Sequence, residues 1–484
     1  MKRWTKSFIH HYAHLFVLGL FAVGIVCSKF LMSMGILLGL LNLLIEGDFK
    51  VYFRSLKSNR FFIGALLFYG LHIVGMLWTE DFSSGLDDLK SKATLVAVPL
   101  IVIARPLSLR KNYKQILIVF IATLLVTSIV NFVAYHFYGN EFDYTDVRDM
   151  SLFNSHIRYA IMIAFAIPLL YDLYKDSKSI RIALFVLGIW FLFYTFASQV
   201  LTGVISICAI LIALVVYPML VHKKYISFLF LVLSAILTFT FVCIGLRSSI
   251  SNKGLPTVDL LDVKIAWEQR SNFEYDGKDE RDQNIKYTLA RFLESKSYPN
   301  NEDGVNLLSS AELKAIEKGM AHSSEMHGGF MGRIEGLRYQ LSHMSDPNGH
   351  SLLQRFEAWK VGFTIYKEHP IIGVGTGDLK NVFKNKYQEL QTKLTEKNQI
   401  RAHNTFLTSA ITFGVFGFCF FIYLLFVSAS IQLKMQNISG FIFWTVMFVA
   451  FFFEDTIETQ TGITLFAFFL ALFSLPIPRP SMDS

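Results

Sequence analysis

The sequence predicts an all-α polytopic membrane protein with about twelve transmembrane helices and one large, mostly helical periplasmic loop domain late in the chain. Three observations carry this. Of 484 residues, 53% are hydrophobic and only 17% charged, whereas a soluble domain carries about a quarter charged residues. Apolar runs approaching the length of about 20 residues that a bilayer requires recur through both ends of the chain. Between them, residues 247–403 form a hydrophilic stretch too long to be a mere connection. With 47 Phe against 11 Pro and 30 Gly, a disordered, collagen-like or linker-rich chain is excluded.

The candidate spans cover 8–28, 30–46, 61–78, 91–104, 115–138, 158–174, 180–198, 203–221, 225–246, 405–433, 438–453 and 460–477. The run 91–104 is the shortest and holds Lys92 and Pro99. This organisation divides the chain into an N-terminal bundle (1–246), a loop domain (247–403) and a C-terminal bundle (404–484).

Lys and Arg accumulate in cytoplasmic loops, and their distribution orients the bundle. With the N-terminus and its Lys2, Arg3 and Lys6 inside, the inside loops carry Lys50, Arg54, Lys57 and Arg60, then Arg105, Arg110, Lys111 and Lys114. Later inside loops carry Lys175, Lys178 and Arg181, then Lys223 and Lys224, then Lys434, whereas the opposite loops read TEDFSSGLDD, NEFDYTDVRD and EDTIET. The alternation places residues 247–403 outside, in the periplasm if the cell has two membranes.

The net charge of +8 resides mostly in those short loops, not on a basic face interleaved with aromatics, so nucleic acid is excluded as a partner. Cys27, Cys208, Cys243 and Cys419 all fall in apolar runs and predict neither disulfides nor a zinc site. No GxxxxGK[ST] loop occurs, which argues against an ATP-driven pump. No cleavable signal peptide is evident in the first apolar run.

Within the loop domain, Ser309 and Glu312 form a capping box before LKAIEK, with Gly319 as its stop. A turn at Asp346–Gly349 precedes a helix over 351–368 that His369 and Pro370 terminate. At 100° per residue, Leu352, Phe356, Trp359, Phe363 and Tyr366 share an arc of about 80°, with Arg355 at its edge. Such a helix lies on the membrane surface or caps the bundle. Arg355 then either meets a lipid phosphate at headgroup depth or covers apolar surface with its stem.

The run Gly373-Val-Gly375-Thr-Gly377-Asp378 precedes another helix. Glycines there can present amides to phosphate, but a carboxylate at the cap satisfies those amides and repels anions, which favours a structural turn. His403, between Arg401 and the tenth apolar run, is either a proton acceptor at the membrane boundary or a helix-end packing residue. Arg158 is costly in lipid and is expected to face an interior cavity or the headgroups. Glu454 and Asp455 read as a solvated outer loop. His322 and His327 lack a third ligand at metal-binding spacing, so no metal is expected.

His403-Asn404, nine residues, Gly414, two residues and Gly417 together match the H[NSQ]-x9-G-x-x-G pattern of the O-antigen ligases. The preceding Arg355-x3-Trp359 and Pro370-x2-Gly373-x-Gly375 resemble a segment of the wider O-antigen ligase and polymerase family. The resemblance implies transfer of a glycan from an undecaprenyl diphosphate carrier to an acceptor hydroxyl at the periplasmic face, most simply the lipid A-core, without metal or other cofactor. It implies His403 and Arg355 as catalytic, with Arg158, Arg401, Trp359 and Asn404 as substrate-binding candidates.

Many family members carry a Ser-Arg pair near the outer end of the seventh span. This chain instead reads Ser198-Gln199-Val200-Leu201-Thr202-Gly203, so a second diphosphate arginine has to be Arg158 or Arg401. The same chemistry serves an O-antigen polymerase or a protein O-oligosaccharyltransferase. The rival of another class is a polytopic transporter, which the lack of repeats and of mid-span charges disfavours.

Overall fold

A computed structural model describes residues 2–138, 144, 147–174, 181–224, 226, 229, 258, 260–280, 283–327, 347–348 and 351–475. No strand occurs among these residues, only helices and their connections. The chain divides into two compact units, Met1–Phe228, Phe363–Val382 and His403–Ser484 in one, Leu229–Gly362 and Phe383–Ala402 in the other.

The first unit is the membrane bundle. It contains α1 (Lys2–Cys27), α2 (Lys29–Glu46), α3 (Phe49–Ser58), α4 (Arg60–Gly75), α5 (Phe82–Lys92), α6 (Thr94–Ala104), α7 (Pro106–Phe137), α8 (His156–Tyr174), α9 (Arg181–Ala197) and α10 (Leu201–Val221). Among the described residues, seven helices are long and apolar enough to cross a membrane, and three shorter helices are apolar. Each run expected as a span is helical except 225–246, which lies outside the described residues apart from single positions.

The doubtful run 91–104 is the 11-residue α6, with Pro99 inside it. Its Leu95, Val98 and Ile101 through Ala104 are all buried, because the C-terminal helix Gln460–Phe473 together with α2, α3 and α4 packs around it. A helix sheathed by protein need not match the thickness of the hydrocarbon. Just before it, Lys92 is 1% exposed, its Nζ 2.6 Å from Glu458 Oε1 and 3.1 Å from Asp88 Oδ1.

The second unit has its own apolar core. Around Trp267, α11 (Leu261–Glu268), α12 (Ile285–Ser295), α13 (Glu302–Asn306) and α14 (Ser310–Glu317) bury Val263, Ile285, Leu289, Phe292 and Ile316. The Trp267 indole donates to Phe273 O at 2.8 Å, and Arg270 donates to the carbonyls of Val305, in α13, and Leu308, just after it. The capping box forms as the sequence expects. Ser309 Oγ accepts from the Glu312 amide, the Glu312 carboxylate accepts from the Ser309 amide at 2.8 Å, and Gly319 adopts φ +77°.

The helix expected over 351–368 is α15 (Ser351–Glu368), and α16 (Leu379–Glu389) follows. On α15 the buried side chains are Leu353, Ala358, Val361 and Ile365, whereas the aromatic stripe opposite leaves Phe356 and Phe363 exposed. Aliphatic side chains therefore pack inward and Phe356 and Phe363 face out, whereas Trp359 and Tyr366 of the same stripe are part-buried.

The C-terminal helices of the first unit are α17 (Thr405–Lys434), α18 (Ile438–Ala450) and α19 (Gln460–Phe473). α17 breaks at Phe413 and Gly414, where Gly414 has φ +63° and ψ −149°, a conformation open essentially only to glycine. A break in a membrane helix strands backbone groups that lipid cannot satisfy. Here the loop after α15 satisfies them: Val374 N donates to Ile411 O, Gly375 N to Thr412 O, and Val415 N to Pro370 O at 2.8 Å.

Candidate functional site

His403 precedes α17 in a left-handed backbone conformation, φ +45°. A non-glycine residue there carries strain that the surroundings have to hold. They do so through the turn between α18 and α19. The Asp455 carboxylate accepts from the His403 amide at 3.1 Å and from the Thr408 hydroxyl at 2.7 Å. Thr405 donates its amide to Phe451 O and its hydroxyl to Glu454 O, both at 2.9 Å. Asn404 caps α17 by accepting from Leu407 N and donates to Phe452 O at 3.2 Å. Both halves of its amide are thus committed to fixing the junction.

With its backbone fixed, the His403 ring points Nδ1 at Glu454 Oε2, 3.3 Å away. The His403 side chain is one-third exposed (33%), whereas that of Glu454 is 7% exposed. Glu454 and Asp455, expected in a solvated loop, are in fact buried, and that reading is corrected. Their carboxylates are drawn inward because the strained junction presents amides, hydroxyls and an imidazole for them to pair with. With the proton on Nδ1 directed at Glu454, Nε2 keeps its lone pair for another proton.

The other oxygen of the same carboxylate, Glu454 Oε1, faces Arg158 Nη2 at 3.4 Å. Arg158 belongs to the first turn of α8 and also lines a cavity of about 320 Å³. It was expected to face an interior cavity or the headgroups, and the cavity it lines is partly open. One buried carboxylate is therefore shared between an imidazole and a guanidinium.

Behind this turn, Glu458 pairs with Lys92, and Asp88 Oδ2 lies 3.9 Å from His72 Nε2. Neither Glu454 nor the Lys92 cluster carries a motif at fixed spacing. The only sequence signal for them was the acidity of short loops, and that signal equally describes solvated turns.

The remaining residues divide as follows. The glycines of the two sequence patterns meet: a Cβ at Gly373 would lie 2.3 Å from Thr412 C, and one at Gly414 would lie 2.1 Å from Ile371 O. These glycines permit two backbones to interlock. Asp378, expected in a structural turn, accepts from Glu80 N and Asp81 N at 2.9 and 2.7 Å, ahead of α5, which leaves it no anion-binding role. In the second unit, Trp359 donates to Ala402 O at 2.7 Å, while Arg355 and Arg401 are half-buried. His403, Arg158 and Asn404 lie in the first unit, and Arg355, Trp359 and Arg401 in the second.

A family model described as O-antigen ligase matches residues 183–422, a region that includes Arg355, His403 and both interlocking glycines. Arg158 and Glu454 lie beyond the matched residues. A search of curated proteins gives no match.

Proposed function

Residues 183–422 belong to the O-antigen ligase family, and on that premise we propose that this glycosyltransferase-type membrane protein moves a glycan from undecaprenyl diphosphate to an acceptor hydroxyl at the periplasmic face, with the lipid A-core as acceptor. The observation that supports this reading is the one-third-exposed His403 side chain held by the buried Glu454, with Arg158 on the same carboxylate.

The acceptor oxygen attacks the anomeric carbon as His403 Nε2 takes its proton, the bond from that carbon to the phosphate oxygen breaks, and undecaprenyl diphosphate leaves. Direct displacement inverts the anomeric configuration. Glu454 fixes the tautomer and balances the imidazolium that forms, as the carboxylate of a catalytic triad does. A positioned general base contributes on the order of a hundredfold to ten-thousandfold in rate.

Charge on the leaving diphosphate calls for cations. Arg158 is one. From the sequence pattern, Arg355 is proposed as a second and Arg401 as a third, with Trp359 among the donor contacts. Loss of one preorganised charge donor costs about 2.7–4 kcal/mol, so R355Q is expected to transfer on the order of a hundredfold more slowly.

The test is incubation of purified protein with lipid-linked glycan and one of two acceptors, lipid A-core or a second lipid-linked repeat. Free undecaprenyl diphosphate is expected to accumulate with lipid A-core. Accumulation only with the lipid-linked repeat identifies a polymerase instead, and release with neither contradicts glycosyl transfer to these acceptors.

A further inference from the structure

The 320 Å³ cavity beside Arg158 is built where three helices of the first unit begin. Lys29 opens α2, Arg158 lies in the first turn of α8, and Thr461 lies in the first turn of α19. Ser28 and Ser155 add hydroxyls to the lining. Asn154 closes one side by donating to Ile25 O at 2.9 Å and accepting from Ser155 N. Two cationic side chains and three helix starts favour negative charge there, although Ser28 and Thr459 each cap one amide of α2 and α19 and Gly24 brings the last turn of α1 to the lining. Among the described residues that line it, none is acidic.

Arg158 is not fully engaged by the protein. Its Nε is buried without a hydrogen-bond partner among the described residues, and its Nη2 contact with Glu454 Oε1 is long at 3.4 Å. A guanidinium presents five donors, and a phosphate oxygen pair accepts two of them side by side, whereas Glu454 engages only one here. On its other oxygen Glu454 holds His403 at a similarly long 3.3 Å. The carboxylate is drawn between an imidazole and a guanidinium and closes fully on neither.

We propose that the cavity is a binding site for a phosphate-type anion, and that the anion and Glu454 compete for Arg158, so that filling the cavity releases Glu454 to His403. Under the glycosyl-transfer reading, on which this identification of the ligand rests, the anion is the carrier's diphosphate. Arrival of the donor then tightens the carboxylate–imidazole pair that accepts the acceptor's proton, and the base is fully formed only when donor is present. Arg158 is a binding residue in this scheme and Glu454 a positioning one.

Competition has a thermodynamic signature that requires no turnover. Binding of inorganic pyrophosphate to the full-length protein in nanodiscs is measured by calorimetry for wild type, R158Q, R158K, K29Q and E454Q. Loss of a charge-assisted bidentate contact is expected to weaken binding by about tenfold or more in R158Q, with R158K intermediate. K29Q, at an exposed rim position, is expected to weaken it less.

The decisive variant is E454Q. Removing the competitor is expected to tighten pyrophosphate binding several-fold, because coupling between two ligands of one group is reciprocal. Unchanged or weaker binding by E454Q overturns the hand-over, and wild-type affinity in both R158Q and K29Q overturns the site. R158K and K29Q keep the test open if R158Q does not fold. A protein that binds pyrophosphate in this pattern yet transfers no glycan overturns the transfer reading alone. One that transfers glycan without the pattern overturns this inference alone.

Discussion

His403 Nδ1 lies 3.3 Å from Glu454 Oε2 across 51 residues of sequence, the one partly exposed at the head of α17 and the other buried in the turn that joins α18 to α19. The pairing joins the histidine of the sequence pattern to an acidic residue outside the matched region. Everything assigned to the histidine depends on a carboxylate that the motif does not contain.

The Lys92 cluster is expected to hold that turn in place. Lys92 is buried between Asp88 and Glu458, and removing one partner of a buried pair costs about 3–5 kcal/mol because the remaining charges are left uncompensated. K92M should therefore lower thermal stability in detergent markedly, and K92M combined with D88N and E458Q should recover part of the loss. Equal stability of K92M and wild type contradicts this role.

The interlocked glycines give a second expectation. Gly414 has φ +63° and no room for a Cβ, and Gly373 has φ +71° with the same constraint. G414A and G373A should each destabilise the bundle by more than the roughly 1–2 kcal/mol of left-handed strain alone. A Cβ at Gly19 meets nothing within 4 Å, so G19A is the matched control and should lie close to wild type in the same unfolding assay.

The second unit should respond to acid through its capping box. Burial pushes the Glu312 carboxyl up, but hydrogen bonds from the Ser309 amide and hydroxyl and from Lys296 outweigh it and hold the group below the usual carboxylate range. A depressed folded value means that this stabilisation is present above the unfolded value, about 4.3 for Glu, and is lost as pH falls through the folded one. Loss of native fluorescence of Trp267 on acidification should begin at higher pH in S309A, which also loses about 1 kcal/mol with the cap. Coincident acid transitions in S309A and wild type count against it.

Much of this was legible in the sequence. Apolar runs gave the bundle because hydrocarbon imposes a length and excludes charge. The capping box around Ser309 and the end of α15 at Glu368 followed from local chemistry, which needs no tertiary partner. His403 and the glycines were visible as a spaced pattern.

Glu454, Asp455 and Lys92 were misjudged or unplaced for one physical reason. Whether a charged residue at a helix end is solvated or buried depends on partners that are distant in sequence: His403 and Arg158 for Glu454, Glu458 for Lys92. The stripe on α15 was seen correctly as a stripe, but the aliphatic residues opposite it are the buried ones, which an angular pattern cannot reveal when both faces are apolar.

The most direct measurement is the single-turnover rate of glycan transfer by H403Q, E454Q and the double variant, with donor saturating. If His403 and Glu454 act as one base, each single substitution lowers the rate on the order of a hundredfold or more, and the double variant is no slower than H403Q. Wild-type transfer by E454Q, or losses that multiply in the double variant, would contradict it.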